Sequence, residues 1–390
     1  MNELIKGWPV FCFLVLLTGC WDDNDDDVPA YTILVYMAAD NSLDGEVDYS
    51  LKQLKEGAGK SADNVVVYLD RRHEKPRLFR ISPNGEEIAL KNYEEENSAN
   101  ASTLSDVIDE TKKLVPSLHF GLVMWSHSMA WVPEGYGQTA RVTSFRLNSD
   151  RPRTRYLAID EETGGEGGAM EIKEAAAALP ASTAEFILFD VCLMASVEAL
   201  YEIKHTCNYV IAAPTEVLAE SDRDASGMPY AEVLPFLSQG LPGLKKACQA
   251  YYDHYNALDG AYRSATISLI DMKELDDLYT VTAGGLSGTL PQAKALDVSN
   301  FQVYYTKSAA PVFFDMGDVV NALSNNAGKP AFQEQLHKTV LYKAATEKFL
   351  DVTIDPEHFS GLSMYVPLSE WSANKEYSYY FSLNWPQVYD

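Results

Sequence analysis

The sequence predicts an α/β protein whose mostly parallel sheet is sandwiched between helices. Three observations carry this. Short, near-continuous apolar runs recur along the chain, as strands covered on both faces require. Stretches with helical periodicity separate them, which gives βαβ units with right-handed crossovers. Finally, 46% of the 390 residues are hydrophobic, including 23 Tyr, 15 Phe and 6 Trp, enough to fill a large core.

The predicted strands are 32–39 (TILVYMAA), 64–69 (NVVVYL), 120–125 (FGLVMW), 186–189 (FILF) and 209–213 (YVIAA). Helical stretches lie at 104–115, 170–179 and 193–204. Beyond Pro214 the pattern gives helices at 230–237 and 244–258, a strand at 265–270 and a helix from Met272. It closes with a helix at 330–347 and a strand-like run at 361–366 (GLSMYV). No repeat and no low-complexity linker divides the chain. One domain over 31–390 is expected, whose part from about 240 could form an α/β extension or subdomain.

The first 20 residues, MNELIKGWPVFCFLVLLTGC, are too short an apolar run to span a bilayer comfortably. Small residues just before a cysteine resemble a lipoprotein signal, with 1–19 removed and Cys20 lipidated. An uncleaved anchor helix is the alternative. The following WDDNDDD has neither the glycine nor the glutamate of a calcium loop of the EF-hand kind, so 20–30 reads as an acidic tether. An acidic stretch after the lipidated cysteine also resembles a surface-export signal, and the expected location is extracytoplasmic, on the outer membrane and exposed at the cell surface. The net charge of −25 argues against nucleic acid as a partner. Five cysteines without a C-x-x-C pair suggest neither a disulfide scaffold nor zinc.

Two strand ends carry chemistry. Ligands of open α/β sheets bind beyond the carboxyl ends of the strands. FGLVMW runs into Ser126-His127, and FILF runs into Asp190-Val191-Cys192. An imidazole and a thiol presented from two such ends have the logic of a cysteine nucleophile with its base. A helix beginning just after Cys192 would favour the thiolate. A buried core cysteine and a capping histidine are the alternative, as is a helix N-cap for Asp190. Backbone N–H groups of Ser128 and Cys192 are candidates for an oxyanion site. Cys207 and Cys248 read as structural thiols. The stretch 132–168 has no predicted structure and holds five of the chain's eleven arginines, Arg141, Arg146, Arg151, Arg153 and Arg155.

Five segments resemble the clostripain-type C11 cysteine peptidases: YMAADNSLD (36–44), VMWSHSMAW (123–131), FDVCLMASVEALYEIK (189–204), IAAPTE (211–216) and SGLSMYVP (360–367). They run in order over nearly all of the chain from about Tyr31. The resemblance implies a caspase-like fold and cleavage of polypeptides after arginine or lysine. It implies His127 as general base, Cys192 as nucleophile and Asp190 as the floor of the S1 pocket. It also implies self-cleavage at a basic residue in the loop after the histidine, for which Arg141 to Arg155 are the candidates. Glu216, and the acidic run 220–224, are weaker candidates for lining the pocket by position alone. The family usually has aspartate before the histidine and glycines after it, whereas this chain has Ser126 and then Ser128-Met129-Ala130. Non-glycine residues there cost conformational energy and add bulk. A catalytically impaired, surface-anchored binding homologue is therefore the second expectation.

No cofactor is expected. Some relatives require calcium, but no ligand cluster in this sequence is assignable to it. A metal-dependent hydrolase using Asp40, Asp44 and Asp70 at the first two strand ends is the remaining enzyme class. No phosphate-binding glycine loop follows any strand.

Overall fold

The computed structural model describes residues 30–133, 153, 170–308, 310–325 and 328–390. The strands that matter here, in chain order, are β1 (Tyr31–Ala39), β2 (Asn64–Arg71), β3 (Glu74–Ile81), β4 (Glu87–Asn92), β5 (His119–Trp125), β6 (Ala184–Asp190), β7 (Cys207–Ala212), the short pair β8 (Ala219–Glu220) and β9 (Ala225–Ser226), β10 (Thr266–Asp271), β11 (Phe314–Asp315) and β12 (Val340–Ala345). The helices that matter here are α1 (Val47–Ala58), α2 (Ala101–Leu114), α3 (Ile172–Ala178), α4 (Val197–Glu202), α5 (Tyr230–Val233) and α6 (Gly240–Asn256). Among the described residues, one sheet of nine strands runs in the order β12-β10-β7-β6-β5-β1-β2-β3-β4.

The five central strands are parallel, and they are the apolar runs of the sequence. β1, β2, β5 and β6 are buried along nearly their whole lengths, because helices cover both faces. The direction of travel fixes which helix lies where. From β1 the chain steps to β2, and from β5 it steps the opposite way to β6 and β7. Right-handed crossovers then need helices on opposite faces. Accordingly α1 packs with α5, which also packs with α6, while α3 packs with α2 and α4.

Two antiparallel margins flank the parallel centre. β10 and β12 join beyond β7, so the chain past residue 240 extends the same sheet. On the other side β3 and β4 form a hairpin on β2 that the sequence pattern did not reveal. Residues 340–345, expected as the end of a helix, form β12, and the expected strand at 361–366 pairs only at Ser363–Met364, with β11.

Two glycines permit close approach. A Cβ on Gly121 of β5 would lie 2.3 Å from the Phe186 ring on β6, and one on Gly57 of α1 would lie 2.5 Å from the Tyr230 carbonyl of α5. Either contact would force the neighbouring element outward.

Candidate active site

Register across the centre of the sheet assembles the site. β1, β5 and β6 align Met37, Trp125 and Asp190 as direct neighbours. Their side chains share one face. Trp125 Nε1 donates to Ser50 of α1 at 3.1 Å, and Asp190 accepts from the Tyr230 hydroxyl of α5 at 2.8 Å. His127 and Cys192 each lie two residues beyond this aligned row. Adjacent strands are about 4.8 Å apart, so imidazole and thiol come from neighbouring strand ends at one edge.

The segment after β6 differs from the expectation. No helix starts behind Cys192; α4 begins only at Val197 and has six residues. Asp190 is accordingly no N-cap either. The chain turns sharply at Leu193, a non-glycine residue with φ +65°. It is then stitched to the segment following β7. Leu193 N–H donates to the Thr215 carbonyl at 2.8 Å, and Ala195 N–H donates to that of Ala213 at 3.1 Å. In place of a helix terminus, the Cys192 sulfur accepts from the Val217 N–H at 3.2 Å. Cys192 and His127 are both buried.

Asp190 is fully buried, and its two oxygens accept from Met228 N–H at 3.1 Å and from Tyr230 at 2.8 Å. The Glu216 carboxylate pairs with Lys307 at 2.6 Å. In the acidic run, Glu220 meets Arg153, and Asp224 accepts from Tyr49. Cys207 and Cys248 are buried away from these groups. Burial pushes Cys207 up to about 12 and raises Cys248 further.

The histidine loop is held from several directions. Ser42 Oγ lies 2.9 Å from His127 Nε2, a contact that nothing local in the sequence signals. Ser126, standing where the family's aspartate is expected, donates to the Ala38 carbonyl at 2.8 Å and ties the β5 end to β1. Ser128 Oγ accepts from Ala130 N–H at 2.9 Å, and Ala130 takes φ +52°. The left-handed conformation is thus adopted at one position of the expected glycine run, by a residue with a Cβ. Trp131 anchors the far end of the loop, its ring 5.2 Å from that of Tyr365 and 5.6 Å from that of Tyr380. On the opposite face of the sheet, Tyr36, Met124, Ser126, Phe189, Met194 and α3 line a largely apolar cavity of about 110 Å³ behind the histidine.

The aspartates of the metal reading are dispersed. Asp44 pairs with Arg71 at 3.0 Å, and among the described residues no three metal-ligating side chains converge. Of the loop arginines, only Arg153 lies within the described residues. Arg141, Arg146, Arg151, Arg155 and Cys20 lie outside them.

Comparison with known proteins fits this geometry. The clostripain family model matches residues 35–388. The chain belongs to the clostripain family. It carries that family's cysteine peptidase scaffold along nearly its entire length. An inactive zymogen C11 protease from Parabacteroides distasonis is 29% identical, superposes with a TM-score of 0.77, and is matched over 93% of this chain and 99% of its own. A secreted C11 cysteine protease from Bacteroides thetaiotaomicron, bound to an irreversible peptide inhibitor, is 23% identical with a TM-score of 0.73, covering 92% and 98%, and speaks for the fold. No curated protein sequence matches the chain.

Proposed function

We propose that this clostripain-family chain is a cysteine endopeptidase that cleaves after arginine or lysine through Cys192 and His127. One observation carries the reading. The thiol and the imidazole leave neighbouring strand ends, and the buried Asp190 carboxylate lies on the same face two residues before the thiol. The Cys192 thiolate attacks the carbonyl carbon of the scissile bond, and N–H groups of Ser128 and Cys192 receive the oxyanion. His127 protonates the leaving amine, giving an acyl-enzyme thioester. It then takes a proton from water as the thioester is hydrolysed. Asp190 pairs with the P1 cation, and no metal or cofactor enters these steps.

Self-cleavage in 132–168 belongs to the same proposal. Arg153 is held away from Asp190, on Glu46 and Glu220. Its carbonyl accepts from Ala219 N–H at 2.9 Å, two residues past the Val217 that meets the thiol. The cut is placed after another arginine of that stretch, Arg141, Arg146, Arg151 or Arg155. Cys20 is proposed as a lipid anchor on the outer surface, tested by loss of fatty-acyl labelling in Cys20→Ala.

A second reading draws on the buried thiol and the strained Ala130: a binding homologue whose site is closed. A peptidyl acyloxymethyl ketone with P1 arginine decides between the two. Rapid labelling of Cys192, and none by the P1 aspartate analogue, supports the peptidase. An unlabelled thiol in the folded chain supports the binding protein.

A further inference from the structure

Two carboxylates from distant parts of the chain converge on one arginine. Glu46 closes the short turn before α1, and its side chain is only 3% exposed. Its Oε2 accepts from Ser221 N–H at 3.0 Å, which aims Oε1 at the guanidinium of Arg153, 3.1 Å away. Glu220 of β8 is 14% exposed, and its Oε1 accepts from both the Nε of Arg153 at 3.0 Å and its backbone N–H at 2.6 Å. Ala219 N–H completes the set by donating to the Arg153 carbonyl. The arginine is thus gripped at main chain and guanidinium together, while its own side chain remains 57% exposed.

A buried carboxylate and a half-buried one held side by side are costly unless a cation lies between them. Here the scaffold supplies both anions from secure elements, and the cation comes from the arginine-rich segment. Donation from two different nitrogens of the guanidinium suits arginine better than lysine. Val217, whose N–H meets the Cys192 sulfur, lies two residues before Ala219, whose N–H holds the Arg153 carbonyl, so the nucleophile and the main-chain hold on Arg153 share one segment.

We infer that Glu46 and Glu220 form a second guanidinium-binding site for extended polypeptide, separate from Asp190, which Arg153 fills in the intact chain. With Arg153 out of the site, an arginine of another polypeptide can take its place. This last consequence rests on the peptidase reading: it makes the site a selector for a second basic residue near the scissile bond.

The test reads binding rather than turnover. The full chain carries Cys192→Ala with Arg153→Ala, and the probes are two fluorescent peptides of the sequence 149–157. Both have norleucine in place of Arg151 and Arg155, and they differ only in arginine or norleucine at the central position. The arginine peptide is expected to bind at least tenfold more tightly, and adding Glu220→Gln should erase the difference. Equal binding of the two peptides, absence of binding by either, or a preference that survives Glu220→Gln would overturn the inference. Glu220→Gln keeps the side-chain volume at a partly exposed position, so the outcome does not depend on whether Glu46 variants fold. Failure of the wild-type chain to cleave a P1 arginine substrate, with this binding intact, would sink the peptidase reading alone.

Discussion

Ser42 Oγ and His127 Nε2 lie 2.9 Å apart although 85 residues separate them in sequence. The loop that bears Ser42 is itself rigid, since Asn41 accepts from Leu43 N–H and donates to the Ala38 carbonyl. On the proposed mechanism, this contact makes Ser42 a positioning residue for the imidazole. Ser42→Ala should lower kcat on a P1 arginine substrate about ten- to hundredfold with little change in KM, and Ser42→Thr should recover part of it. Steady-state kinetics over a pH series check this. A proportional rise in KM at constant kcat would place Ser42 in substrate binding instead.

Asp190→Asn should abolish the preference for a basic P1 residue while leaving the chain folded. Asparagine keeps the size of the side chain and can still accept from one of Met228 and Tyr230. Losing the charge opposite a buried cation should reduce kcat/KM at least about a hundredfold for arginine substrates, or roughly 3 kcal/mol. Wild-type turnover by this variant would show that another group recognises P1.

Ala130 holds φ +52° without being glycine. An L-residue in that region costs about 1–2 kcal/mol, and glycine offsets this with about 0.5–1 kcal/mol of extra chain entropy. Ala130→Gly should stabilise the chain by up to about 1 kcal/mol, visible in thermal unfolding as a rise of about 2 °C. A fall in Tm would mean that the Ala130 methyl packs more strongly than the strain opposes.

Glu198 carries the pH dependence of stability. The residue is fully buried, accepts from Ser196 Oγ at 2.6 Å and Tyr365 N–H at 2.7 Å, and burial pushes its carboxyl up from 4.5 to about 7. Between those values the folded chain holds a proton that the unfolded chain has released, so stability falls as pH rises. The loss approaches about 3 kcal/mol on passing from pH 4.5 to above 7. Asp315, raised to about 6 by burial, acts in the same direction. Denaturant unfolding of Glu198→Gln should show a flatter profile than wild type over this window. Parallel profiles would clear Glu198 of the effect.

The sheet centre was legible because strands covered on both faces must be apolar throughout, and the runs at β1, β2, β5, β6 and β7 are. The β3–β4 hairpin was not, since β4 (EIALKN) lies at an edge and is largely exposed, which leaves no apolar run to find. VLYKAA reads as a helix continuation, yet pairing with β10 makes it a strand. The helical periodicity after Cys192 is real only from Val197, because Leu193 and Ala195 direct their N–H groups to the neighbouring segment. His127, Cys192 and Asp190 stood out because each follows or ends a strand. The partners Ser42, Glu46, Val217 and Tyr230 reach the site only through tertiary folding.

The most direct test uses the chain and its Cys192→Ala variant with a fluorogenic P1 arginine peptide, followed by mass mapping of both chains. Turnover together with a cut after an arginine in 132–168, both lost in Cys192→Ala, is the predicted result. An intact wild-type chain without turnover under reducing conditions, with and without calcium, would contradict the account and leave a binding protein on a peptidase scaffold.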